Sequence, residues 1–370
     1  MDLTTTMMEI YSQIDSPALL VNPDAVAANI AEMVKMAGNV DRLRPHIKTH
    51  KSATGIQMMM GAGIYKFKCA TIAEAELLAI QQAPDVLLAH QPVGPKIQRL
   101  IELSEAFPET LFSCIVDDID NATQIGNAFD AKGRTIRVFA DINVGMNRTG
   151  IKPDETALDL INNIQLTKGL LFGGLHVYDG QHRQADFNER ERACDEAFEG
   201  VYALIDSMKL EGLESPTVIA GGSPTFSIHA NRPDRECSPG TNIFWDHGYS
   251  QICREQNFTP AVRILTRVIS LPAKDRICVD LGHKAVAAEN EINKRVVFPD
   301  YPHLKAISQS EEHLVLEAGA DHSFRVGDAL VGIPYHICPT VALHEGLYEI
   351  KDGELTGIWK IEARKRRINY

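Results

Sequence analysis

Between residue 18 and about residue 250 the chain alternates short apolar runs with longer stretches whose apolar residues recur at helical spacing. Asn22-Pro23 opens the first helical stretch, because Asn caps a helix and Pro suits its first turn. From there to Met36, Val26, Ile30, Met33 and Val34 share one face. Strand-like runs follow at 42–48, 66–70, 85–88, 111–116, 136–142, 170–177, 217–220 and 241–245. Helical stretches such as 72–82, 96–107 and 186–209 separate most of them. Eight strands with intervening helices predict the α/β class and a parallel, TIM-like (β/α)8 barrel. A doubly wound sheet is the competing arrangement, which periodicity leaves open.

From about residue 258 the texture changes. The runs 261–270, 276–281, 314–316 and 329–333 are short, β-branched and broken by Gly, Pro and Asp, and EIKDGEL predicts a hairpin turning at Asp352-Gly353. The expected division is a barrel over 15–250 and a mostly β domain over 251–370, with residues 1–14 a candidate addition to the second.

The formal net charge of -12 argues against nucleic acid, whose phosphates call for Lys and Arg stripes. No apolar run is long enough to span a membrane, and the acidic, polar start MDLTTTMMEIYSQIDSP lacks the features of a secretory signal. The seven cysteines form no CxxC pair, and most lie in apolar runs. They read as reduced, buried thiols of a cytoplasmic protein, with Cys338 fitting that description poorly.

Five motifs carry candidate chemistry. RPHIKTHK (44–51) ends the first expected strand with an accumulation of cations. A lysine there, its amine made nucleophilic by burial and positive neighbours, suits Schiff-base chemistry; a solvated basic loop is the plain alternative. AGGSPT (220–225), with Gly221, Gly222 and Ser223, and SPGT (238–241), with Gly240 and Thr241, are turns whose backbones approach a phosphate, or ordinary Gly-rich turns. Arg148, in VGMNRTG, is placed to donate to an oxygen at the barrel mouth. His176 and Tyr178 end the sixth strand, where either can pack on a planar ring; a satisfied core histidine is the alternative for His176. Lastly, PYHICPT (334–340) holds His336 and Cys338, which on a strand point to the same side. An imidazole and a thiolate suit Zn²⁺ and leave positions open, although HxC also arises by chance. The segments DLGHK (280–284) and SEEH (310–313) sit at strand ends in the β domain, where they either line the same cleft or, the plainer reading of each alone, form satisfied surface turns.

Together, RPHIKTHK, VGMNRTG, AGGSPT, SPGT and the late HxC pair resemble the D-threonine aldolase and D-serine dehydratase family. These are pyridoxal 5′-phosphate (PLP) enzymes with an alanine racemase-like barrel, and the resemblance runs from about Asp15 to the C-terminus. It implies that Lys48 holds PLP as a Schiff base and that Arg148 approaches the cofactor's phenolic oxygen. His176 takes the place of a ring-facing residue. Gly221, Gly222, Ser223, Gly240 and Thr241 match the phosphate turns, and His336 and Cys338 match the ligands of a divalent metal, Zn²⁺ ahead of Mn²⁺. The implied assembly is a homodimer.

The implied function is a lyase acting on a small-molecule substrate, a D-β-hydroxy-α-amino acid. Family aldolases often carry HxD, whereas the dehydratases carry HxC as here. The reading therefore leans to dehydration, giving a keto acid and ammonia, with retro-aldol cleavage to glycine and an aldehyde as the alternative. Lys48 is the candidate base, with His46, His50 and Lys51 as neighbours, and Arg44 and His46 are candidates for recognising an acidic substrate. Two further readings are an amino-acid racemase, indifferent to EDTA, and a non-catalytic PLP-carrying protein, against which the added β domain argues.

Overall fold

The computed structural model describes residues 3–370, so Met1 and Asp2 of the candidate N-terminal addition lie outside the described residues. Two sheets organise the chain. Strand β1 (Ala18–Val21) belongs to the sheet built mainly from the C-terminal part, pairing antiparallel with one late strand and parallel with another. It therefore lies outside the barrel, although the sequence groups it with residues 15–250.

After β1 the chain enters the helix Pro23–Ala37. Asn22 Oδ1 accepts from the amide of Ala25, Pro23 occupies the first turn, and Gly38 ends the helix at φ 73°. Val26, Ile30 and Met33 are buried on its inner face.

The barrel strands follow: β2 (Lys66–Cys69), β3 (Asp85–Leu88), β4 (Leu111–Val116), β5 (Ile136–Ile142), β6 (Leu170–Val177), β7 (Thr217–Ala220) and β8 (Glu236–Cys237). All seven are parallel and paired in sequence order. The gap between β8 and β2 is filled by the segment 43–46, which bridges in parallel to both. Arg44 N donates to Cys237 O and Lys68 N to Pro45 O, each at 2.9 Å. A parallel α/β barrel is thus the observed architecture, and two of its expected staves are corrected. The 42–48 run contributes only this short bridging segment before turning. The eighth strand is Glu236–Cys237 rather than 241–245, which forms a helical turn closed by Trp245 N to Thr241 O at 2.7 Å. Periodicity misplaced it because Ile243, Phe244 and Trp245 are buried in that turn, whereas the true strand carries a charged residue into the barrel.

That inward charge is general at the N-terminal end of the barrel. Arg44, only 1% exposed, binds Asp85 Oδ1 and Glu236 Oε2 at 2.7 Å each; Arg137 reaches Asp85 at 2.6 Å and Lys66 reaches Glu236 at 2.6 Å. The barrel interior is plugged here by ion pairs instead of aliphatic layers. Arg44 is committed to this plug and is removed from the candidates for substrate recognition.

The second sheet adds β9 (Val262–Ala273), β10 (Arg276–Val279), β11 (Val296–Val297), β12 (Lys305–Gln309), β13 (Leu314–Glu317), β14 (Ala329–Pro334), β15 (Gly346–Lys351) and β16 (Glu354–Lys360). Its order is β12-β13-β10-β9-β1-β15-β16, with β14 on β9 and β11 on β14. The β15–β16 hairpin turns at Asp352 and Gly353, both at positive φ, as an Asp-Gly type I′ turn requires.

Candidate active site

The C-terminal ends of the barrel strands and one edge of the β domain enclose a cavity of about 850 Å³. Lys48, Arg148, His176, Tyr178, Gly222, Ser223, Gly240, Thr241, His336 and Cys338 all line it. Of the residues singled out by sequence, Gly221 stands behind the wall. Its φ is +72°, and a Cβ there would lie 2.4 Å from His229 Cδ2, so glycine is required for the turn itself.

The amine of Lys48 lies 6.0 Å from the ring centroid of Tyr178, and the Arg148 guanidinium lies 4.9 Å from the same centroid. His176 is presented by β6. Between Val138 and Phe139 of β5 the register with β6 shifts, so that Phe172 and Gly174 face consecutive residues and Gly173 is the extra one. Beyond this bulge Asp141 stands directly opposite His176, and Asp141 Oδ1 lies 2.7 Å from His176 Nδ1.

The phosphate-type turns interlock. Ser223 Oγ accepts from the amides of Gly240 at 3.1 Å and Thr241 at 2.9 Å. A Cβ on Gly222 would meet Tyr178 Cε2 at 2.9 Å, and one on Gly240 would meet His46 Cβ at 3.1 Å. Beneath them Thr225 donates to Asp179 at 2.7 Å, and Asp179 Oδ2 lies 2.7 Å from His229 Nε2. Cys194 joins Asp179 and His229 as a compact group with metal-type donors. Arg235, however, donates to His229 Nδ1 at 2.8 Å, and a guanidinium at that distance opposes a cation. The group anchors the AGGSPT turn.

The HxC pair does not lie on a strand. β14 ends at Pro334, His336 is the N-cap of the helix Ile337–Leu343, and Cys338 lies in that helix's first turn. The two side chains nevertheless interact. Burial opposes the charge on His336, but the Cys338 sulfur and the Glu289 carboxylate overcome this and raise the imidazole to about 9. Burial likewise opposes the Cys338 thiolate, yet His336 and Lys48 hold it below the usual thiol value. His336 Nδ1 lies 2.5 Å from Glu289 Oε1, which fixes the ring and leaves Nε2 for a ligand. Cys338 Sγ sits 3.1 Å from Thr49 Oγ1 and 3.4 Å from Thr241 Oγ1. The nitrogen and sulfur donors fit a borderline-soft divalent ion. An amine, an arginine and two turns stripped of Cβ atoms at the wall fit the aldehyde and phosphate of PLP.

The neighbours of Lys48 divide. His46 lines the cavity, and burial with Lys48 and Lys68 nearby holds it well below the usual imidazole value. Lys51 also lines the cavity, but it is paired with the buried Glu74. His50 is fully buried outside the cavity, with Nδ1 accepting from Ser52 N at 3.2 Å, and burial pushes it down to about 3. DLGHK and SEEH are satisfied turns, since Lys284 pairs with Glu311 and Glu312.

Sequence reading missed Lys68, Arg183, Tyr249, Glu289 and Arg366, which also line the cavity. For Lys68 a signal existed: Lys66 and Lys68 alternate with Phe67 and Cys69, which places two charges on the inward face of a strand.

Residues 21–247 match the alanine racemase, N-terminal domain family model, and residues 261–350 match the family described as "Putative serine dehydratase domain". The chain belongs to the alanine racemase N-terminal domain family. It is 28% identical to a D-threonine aldolase of Arthrobacter sp, over 95% of this chain and 93% of that one. It is 26% identical to a D-threo-3-hydroxyaspartate dehydratase of Delftia sp. (strain HT23), over 91% and 94%. The crystal structure of a D-threonine aldolase from Filomicrobium marinum superposes with a TM-score of 0.86 at 29% identity, covering 95% of each chain. Among the described residues no helix is long and apolar enough to cross a membrane.

Proposed function

We propose that the protein is a PLP- and divalent-metal-dependent lyase of D-β-hydroxy-α-amino acids, and that its main reaction is dehydration to a keto acid and ammonia. The observation that carries this reading is Cys338: the sulfur of the HxC pair lies against Thr49 and Thr241, in the same cavity as Lys48.

When bound, PLP supplies an electron sink for negative charge developing at Cα. A metal ion, Zn²⁺ ahead of Mn²⁺, supplies a Lewis acid for the β-hydroxyl. Lys48 would carry the cofactor on Nζ and, once released by substrate, take the Cα proton. Gly222, Ser223, Gly240 and Thr241 would hold the phosphate, Arg148 would face the phenolic oxygen, and His176 and Tyr178 would pack beside the ring. His336 and Cys338 would hold the metal, with Glu289 fixing the His336 ring. The reading includes a homodimer working in the cytoplasm; the seven unpaired cysteines agree with a reducing compartment.

Retro-aldol cleavage is the second reading. The 28% and 29% identities to D-threonine aldolases favour it. One incubation separates them: protein loaded with PLP and Zn²⁺, given D-serine, D-threonine or D-threo-3-hydroxyaspartate, with and without EDTA. Keto acid and ammonia, lost with EDTA, are expected. Glycine with an aldehyde product overturns dehydration in favour of the aldolase, and racemisation indifferent to EDTA overturns the metal-dependent lyase altogether.

A further inference from the structure

Residues 362–370 return from the β domain to the barrel and are fastened at both ends. Ala363 N donates to Lys51 O at 3.1 Å and Glu362 Oε2 accepts from Ala53 N at 3.1 Å, so this strap begins beside the turn that carries Lys48. At its far end it meets Glu76, on the helix Ile72–Ile80. The Glu76 carboxylate accepts from Asn369 N at 3.0 and 3.1 Å, from Asn369 Nδ2 at 2.7 Å and from Tyr370 N at 3.2 Å. Glu76 is 0% exposed, and among the described residues these strap donors are its side chain's only hydrogen-bond partners. A buried carboxylate is costly to leave unpaired, so the helix needs the strap in place.

Between the anchors runs the basic sequence Arg364-Lys365-Arg366-Arg367. Arg364 turns to Glu345 at 3.6 Å, and Arg367 Nε donates to Asn369 O at 3.2 Å. Of the four, Arg366 alone lines the active-site cavity, and among the described residues it has no carboxylate partner. Arg99 Nη2 donates to the Arg366 carbonyl at 3.3 Å and holds its backbone to the barrel.

A D-amino acid brings an α-carboxylate that no residue of the reading above holds. Among the cavity's cations, Lys48 and Arg148 serve the cofactor there, His336 serves the metal, and Lys51 is paired with Glu74. Burial keeps His46 and His176 uncharged. Lys68 is buried against His176 Nε2, and burial with the charge of Lys48 brings its amine down to about 7. Arg183 follows β6 and lies over Tyr249, whereas the strap lies along the helix that follows β2, on the opposite side of the barrel. Extending the lyase reading, on which it rests, we infer that Arg366 binds the substrate's α-carboxylate and that Glu76 is the positioning residue that holds it there through the strap.

The test measures binding to holoprotein by calorimetry, with D-alanine and D-alaninamide as probes. Neither has the β-hydroxyl that both lyase reactions need, and only the first has a carboxylate. R366M is expected to weaken D-alanine at least about tenfold, the scale of one charge-assisted hydrogen bond, and to leave D-alaninamide within about twofold. R366K keeps the charge without the planar fork and should fall between. E76Q should show the same preference for weakening D-alanine, together with faster tryptic cleavage at 364–367, read by mass spectrometry. If E76Q fails to fold, N369D, on the exposed strap, sets a second carboxylate against Glu76 and should do the same. Equal losses of the two probes in R366M, or no loss of either, overturn the role of Arg366. Wild-type cleavage and D-alanine affinity in the strap variant overturn that of Glu76. Binding is read without turnover, so carboxylate-selective binding with no keto acid or glycine product sinks the lyase reading alone. A wild type that does not bind D-alanine overturns both.

Discussion

Cys338 Sγ lies 3.1 Å from Thr49 Oγ1, across 289 residues of sequence. Thr49 directly follows Lys48, so this contact ties the β domain's candidate metal ligand to the barrel's candidate cofactor lysine. Removing the thiolate should abolish one function and spare the other. C338A is expected to lose stoichiometric zinc by mass spectrometry of the purified protein while keeping the absorbance of bound PLP. E289Q should be milder, because it leaves both donors and removes only the group that orients His336. A roughly 10–100-fold loss of metal affinity is expected, and wild-type zinc affinity in E289Q would show that the His336–Glu289 contact has no bearing on metal binding.

The barrel plug gives a stability prediction. R44M leaves Asp85 and Glu236 buried with fewer partners, and should cost about 3–5 kcal/mol of unfolding free energy in urea. R44M as stable as wild type would show that solvent relieves the plug.

Asp85 also sets a pH dependence. Burial raises its pKa, but hydrogen bonds and charge from Arg44 and Arg137 outweigh this and hold it below the ordinary carboxylate value. A group depressed in the fold stabilises fully above its unfolded pKa, about 3.9. That contribution is lost as pH falls from there through the folded value. Thermal melts should therefore decline below about pH 4 more steeply for wild type than for D85N, which has already lost the term. Parallel declines would remove Asp85 from the acid response.

These ion pairs explain what the sequence hid. Period-two and helical patterns located β3 to β7 closely because their outward faces are apolar against helices. They failed at β8, where Glu236 points into the plug, and at 42–48, where Pro45 and the closing geometry leave only isolated bridges. The site divides in the same way. Lys48, His336 and Cys338 stood out because RPHIKTHK and HxC are unusual strings. Lys68 and Glu289 sit in unremarkable ones, and their importance comes from which strand ends meet in space. Arg44 looked like chemistry from its neighbours in sequence, and its burial between two carboxylates makes it structural.

Gly174 is expected to be intolerant of any side chain. It sits at φ +134° beside the β5–β6 bulge, and a Cβ would lie 2.1 Å from the carbonyl oxygen of Thr217 on β7. G174A should destabilise by at least about 2–3 kcal/mol from strain and overpacking. Because the bulge aligns His176 with Asp141, G174A should also lower kcat in the fraction that remains folded. A fully stable, fully active G174A would mean that β6 and β7 separate freely at that point.

Arg183 bears on the choice of substrate. It follows β6, is exposed at the cavity rim, and lies 5.9 Å over the ring of Tyr249 without a carboxylate partner among the described residues. Its charge acts on Tyr249 and Asp246; Tyr249 is also near Cys338, and Asp246 accepts from the amide of Ile337 at 3.0 Å. Arg183 is therefore on the side of the cavity that carries Cys338, the side to which the proposed function assigns the substrate's β-hydroxyl. Lys51 is paired with Glu74, and on the proposed reading Lys48 and Arg148 serve the cofactor; among the remaining cations of the cavity, Arg183 is the guanidinium set over Tyr249 on the Cys338 side, open to a second carboxylate. R183M should raise KM for D-threo-3-hydroxyaspartate by about tenfold or more, the scale of one charge-assisted hydrogen bond. KM for D-threonine and D-serine, which carry no β-carboxylate, should stay within about twofold. An equal rise for all three would make Arg183 a general rim residue, and no change for any would leave selection of the side chain to Arg366 or to shape alone.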